Sequence, residues 1–146
     1  MSLYQHILVS VDFTPPAEQA ARKALALARQ FDARLTFLHV IDYFPEDIPN
    51  DWIAPEDEDP QAYLQQRAEE ALRELNDRLG AAAETVVLFT EHSAAAGIVT
   101  YGQDHGVDLT LVACHGHRGI SALLSSTVER VSRHAQGDVL VVHPTA

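Results

Sequence analysis

The chain has 146 residues, 47% of them hydrophobic and 21% charged, which suits one globular domain (1–146) with a core of its own. Ten basic residues face twenty-one acids, for a formal charge of −11, so a surface built to grip phosphate backbones is excluded and no nucleic-acid partner is expected. The longest apolar runs, such as Val139 to Val142, are too short to cross a bilayer, no basic-then-apolar leader opens the chain, and Cys114 has no second cysteine to pair with. The expectation is a cytoplasmic protein with no membrane partner.

His6 to Val11 is a short, β-branched apolar run cut off by Pro15-Pro16, and reads as a buried strand. A helix follows, capped by Thr14 with Pro15 at its first position, where a missing N–H costs nothing; Ala20, Ala24, Leu27 and Phe31 recur on it at helical spacing. Arg34 to Val40 is the second strand. Residues 41–59 show neither period and hold Pro45, Pro49 and Pro55, so a long loop is expected. Its acids Glu46, Asp47, Asp51, Glu56, Asp57, Glu58 and Asp59 read either as a solvated face or as a docking or cation-attracting surface, and Trp52 as a lid residue, a partner anchor or a packing residue.

From Pro60 the helical period returns through Leu64, Ala68, Ala71, Leu75 and Leu79, with Asp59 as cap and Gly80 as stop. Glu84 to Phe89 is the third strand. Ser93 caps a third helix that passes Ile98 and Tyr101 and stops at Gly106, after which Asp108 to Ala113 is the fourth strand. A glycine-containing loop, a helix from about Ser126 to His134, Gly137 and the strand Asp138 to Val142 complete the order.

Strands alternating with helices at this spacing imply an α/β fold, an open parallel sheet with helices on both faces. Ligands of such sheets bind beyond the carboxyl ends of the strands, where strand order reverses. The residues to inspect are therefore Asp12, Val40 with Ile41 and Asp42, and the loop from Cys114 to Ser126.

Three segments together are specific in order and spacing: Ile7-Leu8-Val9-Ser10-Val11-Asp12, Leu38-His39-Val40, and Ser125 to Ala135 followed by Asp138 to Val142. On them the chain resembles the universal stress protein family over essentially its whole length. The resemblance implies a five-stranded sheet in the order 3-2-1-4-5. Members of that family that bind ATP carry a glycine, two residues, a second glycine, nine residues, then glycine followed by Ser or Thr. Here Ala113 stands at the first glycine, Gly116 matches the second, Ser125 stands at the third, Ser126 matches the hydroxyl, and only eight residues, 117 to 124, lie between the halves. By the same resemblance Asp12 sits where an acid contacts ribose or a metal, and Val40 where the backbone reads adenine.

Glycines let backbone N–H groups approach phosphate oxygens, and a helix N-terminus adds unpaired donors and a favourable dipole. Ala113 adds a methyl group there, while the Ser125 hydroxyl and the positive charge of His117 with Arg118 offer compensation. Ser126-Thr127-Val128-Glu129 also has the spacing of a capping box, in which Ser126 serves the helix itself. Asp12 reads equally as a turn residue before Thr14, and Val40 as a core residue. No metal site and no Ser-His-Asp arrangement is read, and Cys114 reads as a lone thiol at the edge of the core.

The nucleotide-binding set is thus Asp12, Val40, Ala113, His115, Gly116, Arg118, Ser125, Ser126 and Thr127, for ATP or a related adenine nucleotide with Mg²⁺ as a candidate companion. No Gly-x-x-x-x-Gly-Lys and no base to orient a water occur, so a binding module in stress response is expected before an enzyme. The alternatives are a nucleotide-free regulatory or scaffold protein of the same fold and a slow ATPase. An unidentified regulatory protein is the expected partner, together with a second copy of the chain. The final strand, Asp138 to His143, is bare of charge or proline at its centre and is expected to join two copies edge to edge.

Overall fold

Five short strands and four capped helices alternate as the apolar periods require: β1 (His6–Ser10), α1 (Pro15–Phe31), β2 (Arg34–Asp42), α2 (Pro60–Leu79), β3 (Glu84–Thr90), α3 (Ala94–Asp104), β4 (Leu109–Ala113), α4 (Ser126–His134) and β5 (Asp138–Val142). The structure is a computed structural model that describes residues 3–42, 52–114 and 126–145. The strands form one sheet in the order β3-β2-β1-β4-β5, and every neighbouring pair is parallel. The chain therefore steps outward from β1 to β3, returns, and steps outward again from β4 to β5.

Period-two alternation in the buried strands divides the core between the two faces. Ile7, Val9, Phe37, Leu109 and Leu111 pack under α1 and α2, while Leu8, Leu38 and Val112 pack under α3 and α4. The inner face of α1 is built from Ala17, Ala20, Ala21, Ala24 and Ala28, whose small side chains let the helix lie close to the sheet. Leu72 is fully buried beside Ala68 and Leu75 and completes the inner face of α2.

The local signals at the helix ends are realised. Thr14 accepts from the Ala17 N–H with Pro15 at the first position, Asp59 accepts from the Gln61 N–H, and Ser93 accepts from the Ala96 N–H at 3.1 Å. Gly80 closes α2 at φ 61°, and Gly106 takes φ 65° just beyond α3, both in the region glycine tolerates. Four boundaries differ from the sequence reading. β1 stops at Ser10, although the Val11 N–H still donates to the Leu38 carbonyl at 2.8 Å. β2 runs two residues further, because Ile41 and Asp42 pair with Phe89 and Thr90, and β3 accordingly ends at Thr90; β4 begins at Leu109. The loop after β2 thus starts later than residue 41. Among the described residues no helix is long and apolar enough to cross a membrane.

At the amino ends of the strands a polar chain crosses the sheet. His6, 3% exposed, places Nδ1 3.1 Å from the His105 carbonyl and Nε2 2.8 Å from Thr36 Oγ1. Thr36 Oγ1 in turn lies 3.2 Å from Glu84 Oε2, which also accepts from Arg34 at 3.0 Å. A carbonyl only accepts, so Nδ1 carries the hydrogen; burial holds His6 protonation below its usual range. Asp108 accepts from the backbone N–H groups of Gln5 and His6, tying the entry to β1 onto the entry to β4.

Candidate functional site

The reversal of strand order falls between β1 and β4, and the chain ends of these two strands diverge there toward opposite faces. A cleft of about 210 Å³ opens at that point, lined by Ser10, Val11 and Asp12 after β1, His39 and Val40 of β2, Val112 and Ala113 of β4, and Ala17, Ala94, Thr127 and Val128. The last four belong to the first turns of α1, α3 and α4, so three helix amino termini converge on one cavity. Such termini present unpaired N–H groups and the positive end of the dipole, which favour an anion. A wider groove, about 560 Å³, lies at the other end of the sheet between Arg29, Asp32, Arg34 and Glu84. There α1 and α2 present their carbonyl ends, which disfavour anions, so the smaller cleft is the candidate site.

Asp12 is fixed by the turn it begins. Its Oδ1 accepts from both the N–H and the hydroxyl of Thr14, which is itself the cap of α1. Asp12 thus closes the turn, as the turn-residue reading expected, and also lines the cavity. Between them Phe13 takes φ 65°, a conformation that bulky residues adopt rarely. Val40 is held from the other side by Gly97 of α3, where an added Cβ would come within 2.9 Å of Val40 Cγ1; only a glycine lets α3 lie this close.

His39 was not among the expected site residues. Its Nδ1 lies 2.6 Å from the Val11 carbonyl, and its ring packs on Phe13 at 4.7 Å and edge-on to Trp52 at 6.2 Å between centroids. Burial lowers its tendency to protonate, against the smaller opposing effects of the Val11 carbonyl and the Asp12 charge. Sequence position could have pointed to it, since it precedes Val40 in a strand abutting the reversal point.

Of the expected set, Asp12, Val40, Ala113 and Thr127 come together in the cleft. Ser126 is the exposed first residue of α4. His115, Gly116, Arg118 and Ser125 lie outside the described residues, as does His117. Cys114 is buried, as expected of a lone thiol at the core edge. Among the described residues no group of three or more His, Cys, Asp or Glu side chains could hold a metal ion.

A family model described as the universal stress protein family matches residues 3–143. Universal stress protein A homolog 1 of Coxiella burnetii is 27% identical over 142 residues, which is 95% of this chain and 96% of that protein. Among solved structures, a universal stress protein UspA from Lactobacillus plantarum superposes with a TM-score of 0.74 at 25% identity, covering 95% of this chain and 97% of that one. A universal stress protein solved in complex with cAMP superposes with a TM-score of 0.72 at 25% identity, covering 99% of this chain and all of that one.

Proposed function

This chain belongs to the universal stress protein family, and we propose that it is a regulatory module that binds an adenine nucleotide in the cleft between β1 and β4. The observation that carries the reading is the convergence of three helix amino termini on a cavity that also holds Asp12 and Val40. The helix ends suit a phosphate, the Asp12 carboxylate suits ribose hydroxyls, and Val40 of β2 offers backbone groups and an apolar side chain to a base. The complex of a similar universal stress protein with cAMP supports the same ligand class. Asp12 would also serve a nucleotide-borne Mg²⁺, which commonly takes one or two carboxylates together with phosphate oxygens. Occupancy would be passed to a regulatory protein partner as part of a stress response.

Calorimetry and thermal melting with ATP, AMP and cAMP, each with and without Mg²⁺, test the reading. A ligand held at a hundred times its Kd stabilises the native state by about 2.7 kcal/mol, which shifts the melting temperature measurably. No heat and no shift with any of them would leave the nucleotide-free scaffold, a reading favoured by Ala113 standing where phosphate-binding relatives place a glycine. Phosphate release from ATP at a rate above the uncatalysed background would instead favour the slow ATPase.

The same proposal includes a homodimer through residues 138 to 143. β5 ends the sheet, and Leu140 is 36% exposed on it. The Val142 carbonyl accepts from the Cys114 N–H at 2.8 Å, so Val142 turns its peptide groups toward β4 and, by alternation, Val141 turns its own outward. Light scattering is expected to give a dimer for the wild type and a monomer for Val141→Pro, which removes an outward donor. A monomeric wild type, or a fully dimeric proline variant, would exclude this edge.

A further inference from the structure

The histidine, threonine and glutamate that cross the amino ends of β1, β2 and β3 hold fewer hydrogens than their geometry can use. Thr36 Oγ1 lies 2.8 Å from His6 Nε2 and 3.2 Å from Glu84 Oε2, and a hydroxyl has one hydrogen to give. His6 Nδ1 is committed to the His105 carbonyl at 3.1 Å, so in the neutral ring Nε2 is a bare acceptor. The ionised Glu84 carboxylate is an acceptor too. One hydrogen thus faces two acceptors. His6 and Thr36 are buried, where a bare acceptor finds no water, whereas Glu84 is exposed and also accepts from Arg34 at 3.0 Å. The neutral ring therefore takes the Thr36 hydrogen, and Glu84 is left with Arg34 and water.

One added proton changes the count. An imidazolium carries N–H on both nitrogens, so Nε2 donates to Thr36 Oγ1 and the hydroxyl hydrogen is free to point at the carboxylate. Every contact in the row then has a hydrogen between its partners, and the two outer ones are charge-assisted. We propose that protonation of His6 reverses the Thr36 hydroxyl from the imidazole to Glu84, a proton switch that links a buried histidine of β1 to the edge strand β3. The other charged or titratable neighbours are engaged differently. Asp108 accepts from the His6 backbone N–H, Arg34 is paired with Glu84, the His105 ring stacks on Tyr101, and Tyr101 keeps a neutral phenol beside Thr36. Burial holds His6 protonation below its usual range, so the unfolded chain takes up this proton first. The contribution of His6 to stability is therefore complete above about pH 6.5 and is lost as the pH falls from there to the folded-state midpoint. Glu84, although burial works the other way, is held below the usual carboxylate range by its bonds to Arg34 and Thr36, and is ionised where His6 begins to titrate.

The test is an NMR pH titration of the full chain with ¹⁵N in the imidazole rings and ¹³C in the glutamate carboxyl groups. In the wild type the Glu84 carboxyl resonance should move in two steps, one at its own midpoint and one at that of His6. Thr36→Val should remove the second step and weaken proton binding by His6 at least roughly threefold, because a hydrogen bond to a charged ring is worth more than one to a neutral ring. Glu84→Gln should weaken proton binding by His6 to a similar extent, but have little further effect once Thr36 is valine. A direct field of Glu84 on His6 would act alike with or without the hydroxyl, so the double-mutant comparison separates the switch from simple charge proximity. Thr36→Ser keeps the hydroxyl and should keep both steps. Equal effects of Glu84→Gln in the two backgrounds, a single Glu84 step in the wild type, or unfolding before His6 titrates would each overturn the proposal. Should Thr36→Val fail to fold, Thr36→Ala removes the same hydroxyl and gives the same reading, and the wild-type titration stands by itself.

Discussion

Phe37→Ala is expected to lower the free energy of unfolding by about 3–5 kcal/mol, the range seen when a fully buried aromatic ring is truncated. Phe37 is 0% exposed, the largest of the fully buried side chains, and sits in β2 with β1 on one side and β3 on the other. Its ring fills the space beneath α1 and α2 among Val9, Leu72 and Leu111, and helices resting on both sides of a cavity cannot close it without losing their own contacts with the sheet. Urea unfolding followed by circular dichroism gives the measurement. The midpoint should fall with an unchanged slope, and Phe37→Leu should recover much of the loss because it returns most of the volume. A cost under about 1 kcal/mol for the alanine variant would mean that the site can collapse, contrary to this packing.

Gly137→Ala is expected to destabilise by about 1–3 kcal/mol although it adds one methyl group. A Cβ at this position would lie 2.7 Å from the Asp108 carbonyl oxygen and 2.9 Å from Asp108 Cα, all of it backbone. Backbone has little room to give here, because Asp108 also accepts the Asp138 N–H at 3.0 Å and, through its carboxylate, the N–H groups of Gln5 and His6. Moving Asp108 would therefore disturb the entries to β1, β4 and β5 together. Gly102→Ala is the control: it lies within α3, and its nearest contact for a Cβ is an ordinary 3.7 Å to Val107. That variant should be neutral or gain up to about 1 kcal/mol from helix propensity. Thermal melts of the two variants should move in different directions, and a Gly137→Ala melt at or above wild type would show that the close approach to Asp108 is relaxed in solution.

The amino-acid sequence alone determined the alternation of strands and helices and most helix ends. Those features are local: Thr14 with Pro15, Asp59 with Gly80, and Ser93 act on N–H and C=O groups within a turn of themselves, so no distant partner is needed to read them. The family and with it the strand order were legible from three short segments, and the reversal point between β1 and β4 then located Asp12, Val40, Ala113 and Thr127 at one end of the sheet. Helix α4 runs over Ser126–His134, as the sequence placed it.

What only the tertiary structure decided depends on residues far apart in the chain. The hydrogen-bond chain from His6 through Thr36 to Glu84 exists because register sets Arg34 beside His6 and Glu84 beside Thr36, and nothing within any one strand encodes that pairing. Gly137 stands in the sequence only as the residue between the last helix and β5, yet its strict need for a missing side chain comes from Asp108 on the neighbouring strand entry. The same holds for His39, which the sequence shows only as a residue of β2. Its tautomer is set by the Val11 carbonyl just beyond β1, and its ring packs on Phe13 and Trp52, groups that meet only once the sheet has closed around them.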